Sequence, residues 1–253
     1  MRFGRRRRRR SHSDDDFVPT SEGATFRPPF ISPRDTGRWA IGLLLLTMAL
    51  AWISIGIDLS NLRQIFQATH GTAVPRDLRT AQFTTESWLV SAQLLAVFAT
   101  GVAFMAWLYQ LRVNLRALGV RRPVYRREWC IWGFLFPGVN FFRPYQVMRE
   151  IWQASDPDNL DAFLWRQQPV PQLLGIWWLS FLLSVNLRLL AWLSDIGAGV
   201  NLQRIQVSMS LLTLADVAAG ISAGLACFVV TRLSESQEAK WEAQSQRDAT
   251  GHP

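Results

Sequence analysis

A nucleophile motif and a helix-packing motif overlap in the last apolar run of the chain. Gly220, Ser222 and Gly224 form G-x-S-x-G, which in a soluble hydrolase would mark a nucleophilic serine between a strand and a helix. That chemistry also needs a histidine base, and the histidines lie in predicted tails or loops, at His12, His70 and His252. The same residues form G-x-x-x-G, a face through which membrane helices approach closely. We therefore predict that Gly220 and Gly224 serve helix packing, including self-association of the chain through this run.

Two ionisable residues, Arg188 and Asp216, fall inside apolar runs. Each would be costly alone in hydrocarbon, at about 2.5 to 3.5 kcal/mol near the centre of a helix. Their predicted depths differ by roughly 6 Å, which an arginine side chain can bridge. We expect them to pair between neighbouring antiparallel helices. Two interpretations stay open, a proton or ion pathway and a device that fixes packing and topology.

Metal, cofactor and thiol chemistry find little support in the sequence. Cys130 and Cys227 are the two cysteines, and their positions suggest neither a disulfide framework nor a metal site. Phosphate-binding loops, dinucleotide fingerprints, zinc spacings and kinase signatures are absent from the sequence. We therefore expect no cofactor and no enzymatic activity.

The apolar residues around these positions are concentrated in four long runs. Hydrophobic residues make up 49% of the 253-residue chain, while charged residues lie mainly in its ends and connections. About 20 helical residues cross the roughly 30 Å hydrocarbon core of a bilayer. The predicted fold is all-α, a polytopic membrane helical bundle with four spans, at residues 39–57, 88–111, 173–193 and 207–230. Residues 39–233 would form the membrane domain, between a disordered Arg-rich tail at 1–38 and a cytoplasmic tail at 234–253.

A shorter apolar stretch, residues 129–142, precedes an amphipathic pattern. The stretch would rise only about 21 Å as a helix, and Pro137 with Gly138 would break it. We predict a re-entrant or interfacial segment rather than a fifth span. Residues 143–154 carry apolar side chains at intervals of four and three, which predicts an amphipathic helix resting on the bilayer surface.

The arginines predict the side of the membrane on which each connection lies. Basic residues outnumber acidic ones by 27 to 19, and those near the spans lie mostly before the first and between the second and third. Cytoplasmic connections hold the excess of Lys and Arg, so both termini and the long central connection are predicted to lie inside.

The tail contains an unbroken arginine run, Arg5 to Arg10. It has three interpretations: a solvated tail that reinforces orientation, a contact with anionic lipid and, least favoured, a contact with nucleic acid. No basic fold interleaved with aromatic residues accompanies the run, so we expect no nucleic-acid partner.

Several stretches resemble a known bacterial membrane family. The similar residues are WLYQLRVNLRALG at 107–119, WGFLFPGVNFFRPYQVMREIW at 132–152, the pair Trp177 and Trp178, and VVTRLSESQ at 229–237. The family is catalogued as domain of unknown function 4328, and the similarity covers roughly residues 39–241. The resemblance implies a multi-pass helical protein of the bacterial cytoplasmic membrane, with no established activity, cofactor or site.

The most specific part of this resemblance lies between the second and third spans. Asn140 is expected to satisfy backbone groups freed by Pro137. Charged side chains in the same block are expected to meet lipid phosphates or another loop. The residues of this interfacial motif are Pro137, Asn140, Arg143, Pro144, Tyr145, Arg149 and Glu150.

Two functions remain open on the sequence. We favour a non-enzymatic scaffold or assembly partner that contacts membrane lipids and associates with itself through the fourth span. The alternative is a small transporter or channel component, with a polar path near Arg188 and Asp216.

Overall fold

The chain folds into helices. The structure is a computed structural model that describes residues 28–69, 76–196 and 202–250, so the arginine run of the tail lies outside the described residues. Every regular element in these ranges is helical, which confirms the predicted all-α class. The α-helices are α1 (Arg34–Thr69), α2 (Arg76–Ala117), α3 (Trp129–Leu135), α4 (Arg143–Ala154), α5 (Gln172–Asp195) and α6 (Leu202–Thr250), with 3₁₀ helices at Val139–Phe141 and Leu164–Gln167.

Four helices, α1, α2, α5 and α6, are long and apolar enough to cross a membrane. Their outer surfaces carry large exposed apolar side chains, for example Trp88, Phe98 and Leu179. So much exposed apolar surface is unfavourable in water and is solvated by lipid tails. The chain is therefore a membrane-embedded helical bundle, as the sequence predicted.

Helix α6 lies at the centre of this bundle. It packs between α1 and α5, and α2 packs against α1. Half of the most apolar window of α6 is buried, against 17% of the corresponding window of α1. Small buried residues on α6 allow this close contact, namely Ala215, Ala218, Ala223 and Ala226.

The long helices extend beyond the apolar runs that predicted them. Helix α1 continues to Thr69, twelve residues past the predicted end at 57, and α6 continues to Thr250, through the predicted C-terminal tail. Residues 234–250 are rich in Glu, Gln, Ala and Ser, most of which favour or tolerate helix. The hydropathy of the sequence therefore indicates where a helix leaves the lipid. The helix propensity of the residues beyond that point determines where the helix ends.

One end of the bundle carries a cluster that we call the polar cap, made of residues 28–33, 118–171 and 234–250. Helix α2 ends there at Ala117, and Gly119 follows with a φ of 68°, a conformation that glycine adopts without strain. The Val120 N–H donates to the Leu115 carbonyl at 3.0 Å and the Gly119 N–H to the Arg116 carbonyl at 3.1 Å, a Schellman turn. This turn directs the chain from α2 into the cap.

The N-terminal edge of the cap was predicted to be disordered tail. Residues 28–33 instead pack on the helices: Phe30 stacks on Trp241 with ring centroids 5.1 Å apart, and the Asn114 amide donates to the Ile31 carbonyl at 2.8 Å. Arg34 pairs with Glu238 of α6. The first described residues and the last part of α6 therefore lie at the same end of the bundle.

The short apolar segment does not cross the membrane. Helix α3 has seven residues and rises only about 10 Å, against a hydrocarbon core of about 30 Å. Gly138, with φ of 81°, turns the chain after Pro137. The Trp178 indole N–H donates to the Phe141 carbonyl at 2.9 Å, so the segment is held against the first turns of α5.

Helix α4 has the predicted bounds and a different environment. Its apolar face was expected to rest on the bilayer, but Val147, Met148 and Ile151 have no exposed surface and belong to the protein core. The apolar face meets Leu108 and Leu111 in that same core. The expectation was wrong because the end of α2 offers α4 an apolar surface within the chain.

Candidate functional site

The two charged residues of the membrane region are brought together. The Arg188 guanidinium on α5 donates to the Asp216 carboxylate on α6. The side chain of Asp216 is 4% exposed, and that of Arg188 is 41% exposed. A buried carboxylate without a partner would cost several kcal/mol, so the pair ties α5 to α6.

A third ionisable residue, Asp58 of α1, lies close to this pair. The Thr213 hydroxyl is 3.4 Å from Asp58 Oδ2 and 2.9 Å from the Met209 carbonyl, to which it donates. Thr213 lies one turn of α6 before Asp216, so three helices supply polar groups to one level of the bundle. The sequence reasoning missed Asp58 because it ended the first span at residue 57. The sequence did carry a signal that the helix includes Asp58, because residues compatible with a helix continue past the last apolar residue of the run.

The glycine face of α6 is occupied within the chain. A Cβ atom on Gly220 would lie 3.4 Å from the Trp52 indole nitrogen, and one on Gly224 would lie 3.7 Å from the Met48 sulfur. Both contacts are with α1, so the small residues serve close packing between α1 and α6. Self-association would have to use another surface, because α1 covers this one.

In the polar cap, Glu150 holds the loop that follows α2. Its two carboxylate oxygens accept the backbone N–H groups of Val124, at 2.5 Å, and Tyr125, at 3.0 Å. Burial raises the pKa of the Glu150 carboxyl above its ordinary value, while these two N–H groups act in the opposite direction. Of the two partners expected for Glu150, lipid phosphate and another loop, the loop is present.

Arg143 closes the other side of the same loop. Its guanidinium carbon lies 4.7 Å from the centre of the Trp129 ring and 5.1 Å from that of Tyr125. It also donates to the Gln146 side-chain oxygen at 3.1 Å. Arg112 donates to the Tyr125 carbonyl at 3.0 Å. The loop is thus fixed by cation–π contacts and hydrogen bonds from two helices.

The rest of the predicted interfacial motif is divided among three roles. Pro144 is buried in the first turn of α4, where proline is well tolerated. Asn140 does not do what was expected, since its Oδ1 atom is buried without a hydrogen-bond partner among the described residues. Its backbone N–H donates instead to the Phe136 carbonyl at 3.0 Å. Tyr145 and Arg149 line a cavity between α4 and the start of α5.

The last turns of α6 form a network that the sequence reasoning missed. The Lys240 ammonium donates to the Ala154 carbonyl at 2.8 Å, and the Gln237 amide donates to the Leu111 carbonyl at 3.0 Å. The Gln244 amide donates to the Leu118 carbonyl at 2.8 Å. Lys240 and Gln244 thus satisfy the carbonyls of the last residue of α4 and of the residue that follows α2, while Gln237 bonds to a carbonyl within α2. The available signal was spacing, because residues 237, 240 and 244 share one helix face.

The described residues offer no clear support for nucleophile or metal chemistry. Burial raises the pKa of the Cys130 thiol to about 12, which keeps it protonated and unreactive near neutral pH. Groups of three or more His, Cys, Asp or Glu that could hold a metal ion do not occur in the part of the chain that the structure describes. Ser222 lies inside α6, without the strand and turn that a nucleophile elbow requires.

The comparisons with known proteins return a single finding. A family profile described as a domain of unknown function, DUF4328, matches residues 70–235, more than half of the chain. No curated protein and no solved structure matches it. The matched range runs from before α2 to the part of α6 that enters the polar cap.

Proposed function

The chain belongs to the DUF4328 family, a domain of unknown function, and on that premise we propose from its geometry that it is a non-catalytic membrane scaffold or assembly partner. The observation that carries the proposal is that its buried charged groups bond within the chain. Asp216 bonds to Arg188, Glu150 to two backbone N–H groups, and Lys240 to a backbone carbonyl. Groups held in this way fix a shape, whereas catalysis needs a group turned towards a substrate.

We further propose that the polar cap lies on the cytoplasmic side of a bacterial cytoplasmic membrane. The support is the concentration of arginines in the last turns of α2 and in the connection that follows it, at Arg112, Arg116, Arg121, Arg122, Arg126 and Arg127. Both described ends of the chain pack on the same cap, so one orientation assigns all of them to one side. The termini are then both cytoplasmic.

The outer surface of the cap has the composition of a protein-binding surface. Val124 and Phe163 are each 58% exposed, in connections between helices. The Arg121 guanidinium lies 5.6 Å from the centre of the Phe163 ring, and its backbone N–H donates to the Ala162 carbonyl at 3.2 Å. Exposed apolar side chains among arginines fit a partner segment with acidic and apolar side chains.

Site-specific photo-cross-linking in bacterial cells tests this proposal. A photoreactive amino acid at Val124 should give protein adducts of fixed mass. The same amino acid at Leu94, exposed on α2 within the membrane region, should not give them. Arg121→Glu should reduce the Val124 adducts because it reverses the charge that attracts the partner. Equal adducts at both positions, or adducts indifferent to Arg121→Glu, would contradict the proposal.

One observation favours the second candidate function, a small transporter or channel component. Asp58, Arg188 and Asp216 come from three helices and lie at one level of the bundle, as the groups of a polar path would. Proton flux into proteoliposomes under an imposed potential separates the two functions. Transport requires flux above that of empty vesicles and its loss in Asp216→Asn, whereas a scaffold gives the flux of empty vesicles.

A further inference from the structure

A cavity of about 520 Å³ lies between α4, the connection at 166–171 and the first turns of α5. Its wall contains two arginines, Arg149 and Arg166, and four glutamines, and none of the lining residues is acidic. Helix α5 enters the membrane region at this level, since its membrane-spanning stretch begins at Gln172, which lines the cavity. The cavity is therefore positively charged and lies at the depth of lipid headgroups.

Arg149 has no role in holding the described fold together. It is exposed on α4, and its guanidinium makes no hydrogen bond or ion pair with any residue in the part of the chain that the structure describes. All five guanidinium donors remain for a ligand. This sets Arg149 apart from Arg143 on the same helix, which stacks on two aromatic rings.

The opposite wall of the cavity is fixed in place. The Gln153 amide donates to the Arg166 carbonyl at 3.1 Å and to the Gln168 carbonyl at 2.8 Å, so the connection is tied to α4. The Arg166 guanidinium donates to the Arg122 carbonyl at 3.0 Å and lies 5.1 Å from the centre of the Trp165 ring. One end of this guanidinium is thus held, while further donors remain for a second acceptor.

We propose that this cavity binds a phosphate group, with Arg149 and Arg166 as its donors. Guanidinium groups bind phosphate through paired, charge-assisted hydrogen bonds, and an absence of carboxylates in the wall excludes competition for them. The phosphate could come from two sources, the headgroup of an anionic phospholipid or free phosphate. The position beside the first turns of α5 suits the headgroup, whose acyl chains would then lie along the apolar surface of that helix.

Native mass spectrometry of the full chain in detergent tests the lipid arm. Titration with phosphatidylglycerol should show a bound lipid whose affinity falls about tenfold in Arg149→Gln and in Arg166→Gln. Arg126→Gln is the matched control, because Arg126 is an exposed arginine in the cap that does not line the cavity. It should change the affinity less than about twofold. Arg149→Gln should melt like the unaltered chain without lipid, since Arg149 makes no contact that the fold needs.

Thermal melting with inorganic phosphate, in detergent without lipid, separates the two sources. A rise in Tm that disappears in Arg149→Gln would assign the site to free phosphate. Lipid binding that depends on Arg149, without a phosphate-dependent rise in Tm, would assign it to the headgroup. Both results support a phosphate site. If Arg149→Gln binds phosphatidylglycerol as tightly as the unaltered chain and responds equally to phosphate, the proposal is wrong.

Discussion

The membrane bundle and the polar cap hold their helices together by different means. In the bundle, small residues bring α1 against α6, and the Arg188–Asp216 ion pair joins α5 to α6. In the cap, amide, ammonium and carboxylate groups bond mainly to backbone atoms of other segments. Lipid tails offer no hydrogen-bond partners, so a polar group in the bundle must bond to a nearby group of the protein. The cap contains the ends of several helices, and the backbone groups at these ends can bond to many polar side chains.

The stability of the bundle therefore depends more on a single contact than the stability of the cap does. Breaking the Arg188–Asp216 pair leaves a charge in a poorly solvating environment, whereas a cap residue shares its contacts with several polar neighbours. We therefore expect the largest single-residue effect at the Arg188–Asp216 pair of the bundle and smaller, graded effects elsewhere. The following changes test that order.

Arg188→Leu should have the largest effect, about 3 to 5 kcal/mol of lost stability, because it leaves the buried Asp216 carboxylate without its partner. Asp216→Leu should cost less, since the Arg188 side chain is 41% exposed and can move towards the membrane surface. The double variant should recover most of the loss. Protein abundance and thermal melting in detergent measure all three. Additive losses would mean that the two residues do not act as a pair.

Lys240→Met should cost about 1.5 to 3 kcal/mol, because it removes the donor to the Ala154 carbonyl at the end of α4. Gln246→Met, an exposed position on the same helix, is the control and should change stability little. Thermal melting of purified protein measures the difference. If the two variants melt alike, the cap does not depend on Lys240.

Gly220→Leu should cost about 1 to 3 kcal/mol, since its side chain would push Trp52 and α1 away from α6. Gly42→Leu is the matched control, because a Cβ atom there would meet nothing within 4 Å. The comparison also addresses self-association. A change in oligomeric state without a loss of stability in Gly220→Leu would show that the glycine face binds another copy instead of α1.

Glu150→Gln should cost about 1 kcal/mol at neutral pH, because an amide can accept only one of the two N–H bonds. The raised pKa of Glu150 means that the folded protein holds this proton more tightly than the unfolded chain. The contribution of the Glu150 proton to the free energy of unfolding is complete below the ordinary Glu pKa. It declines as pH rises through the raised pKa of the folded protein. The stability of the unaltered chain relative to Glu150→Gln should therefore fall as pH increases from 4 to neutral. A rise over that range would reverse the assigned direction.

The sequence predicted the membrane bundle well, because lipid imposes a simple rule. Length and hydropathy identify spans, and the cost of a lone charge predicted that Arg188 and Asp216 would be neighbours, which they are. The same rule misplaced helix ends. It ended α1 before Asp58 and treated residues 234–250 as a tail, since it carries no information about helix outside lipid.

The polar cap was less predictable, for a physical reason. Its contacts join residues far apart in sequence, such as Gln237 with Leu111 and Glu150 with Val124. A polar residue near a membrane can face water, lipid headgroups or another loop, and these alternatives differ little in free energy. Tertiary packing decides among them, so α4 was assigned to the bilayer surface although the end of α2 covers its apolar face.

Labelling of introduced cysteines in intact bacterial cells tests the claim on which the proposed partner surface depends, that the polar cap faces the cytoplasm. Arg126→Cys lies in the cap and Arg63→Cys near the opposite end of α1, both at exposed positions. The native Cys130 is buried, with a pKa of about 12, and should stay unlabelled. A membrane-impermeant maleimide should label Arg63→Cys in intact cells and Arg126→Cys only after permeabilisation. Labelling of Arg126→Cys in intact cells would put the cap outside and contradict the account.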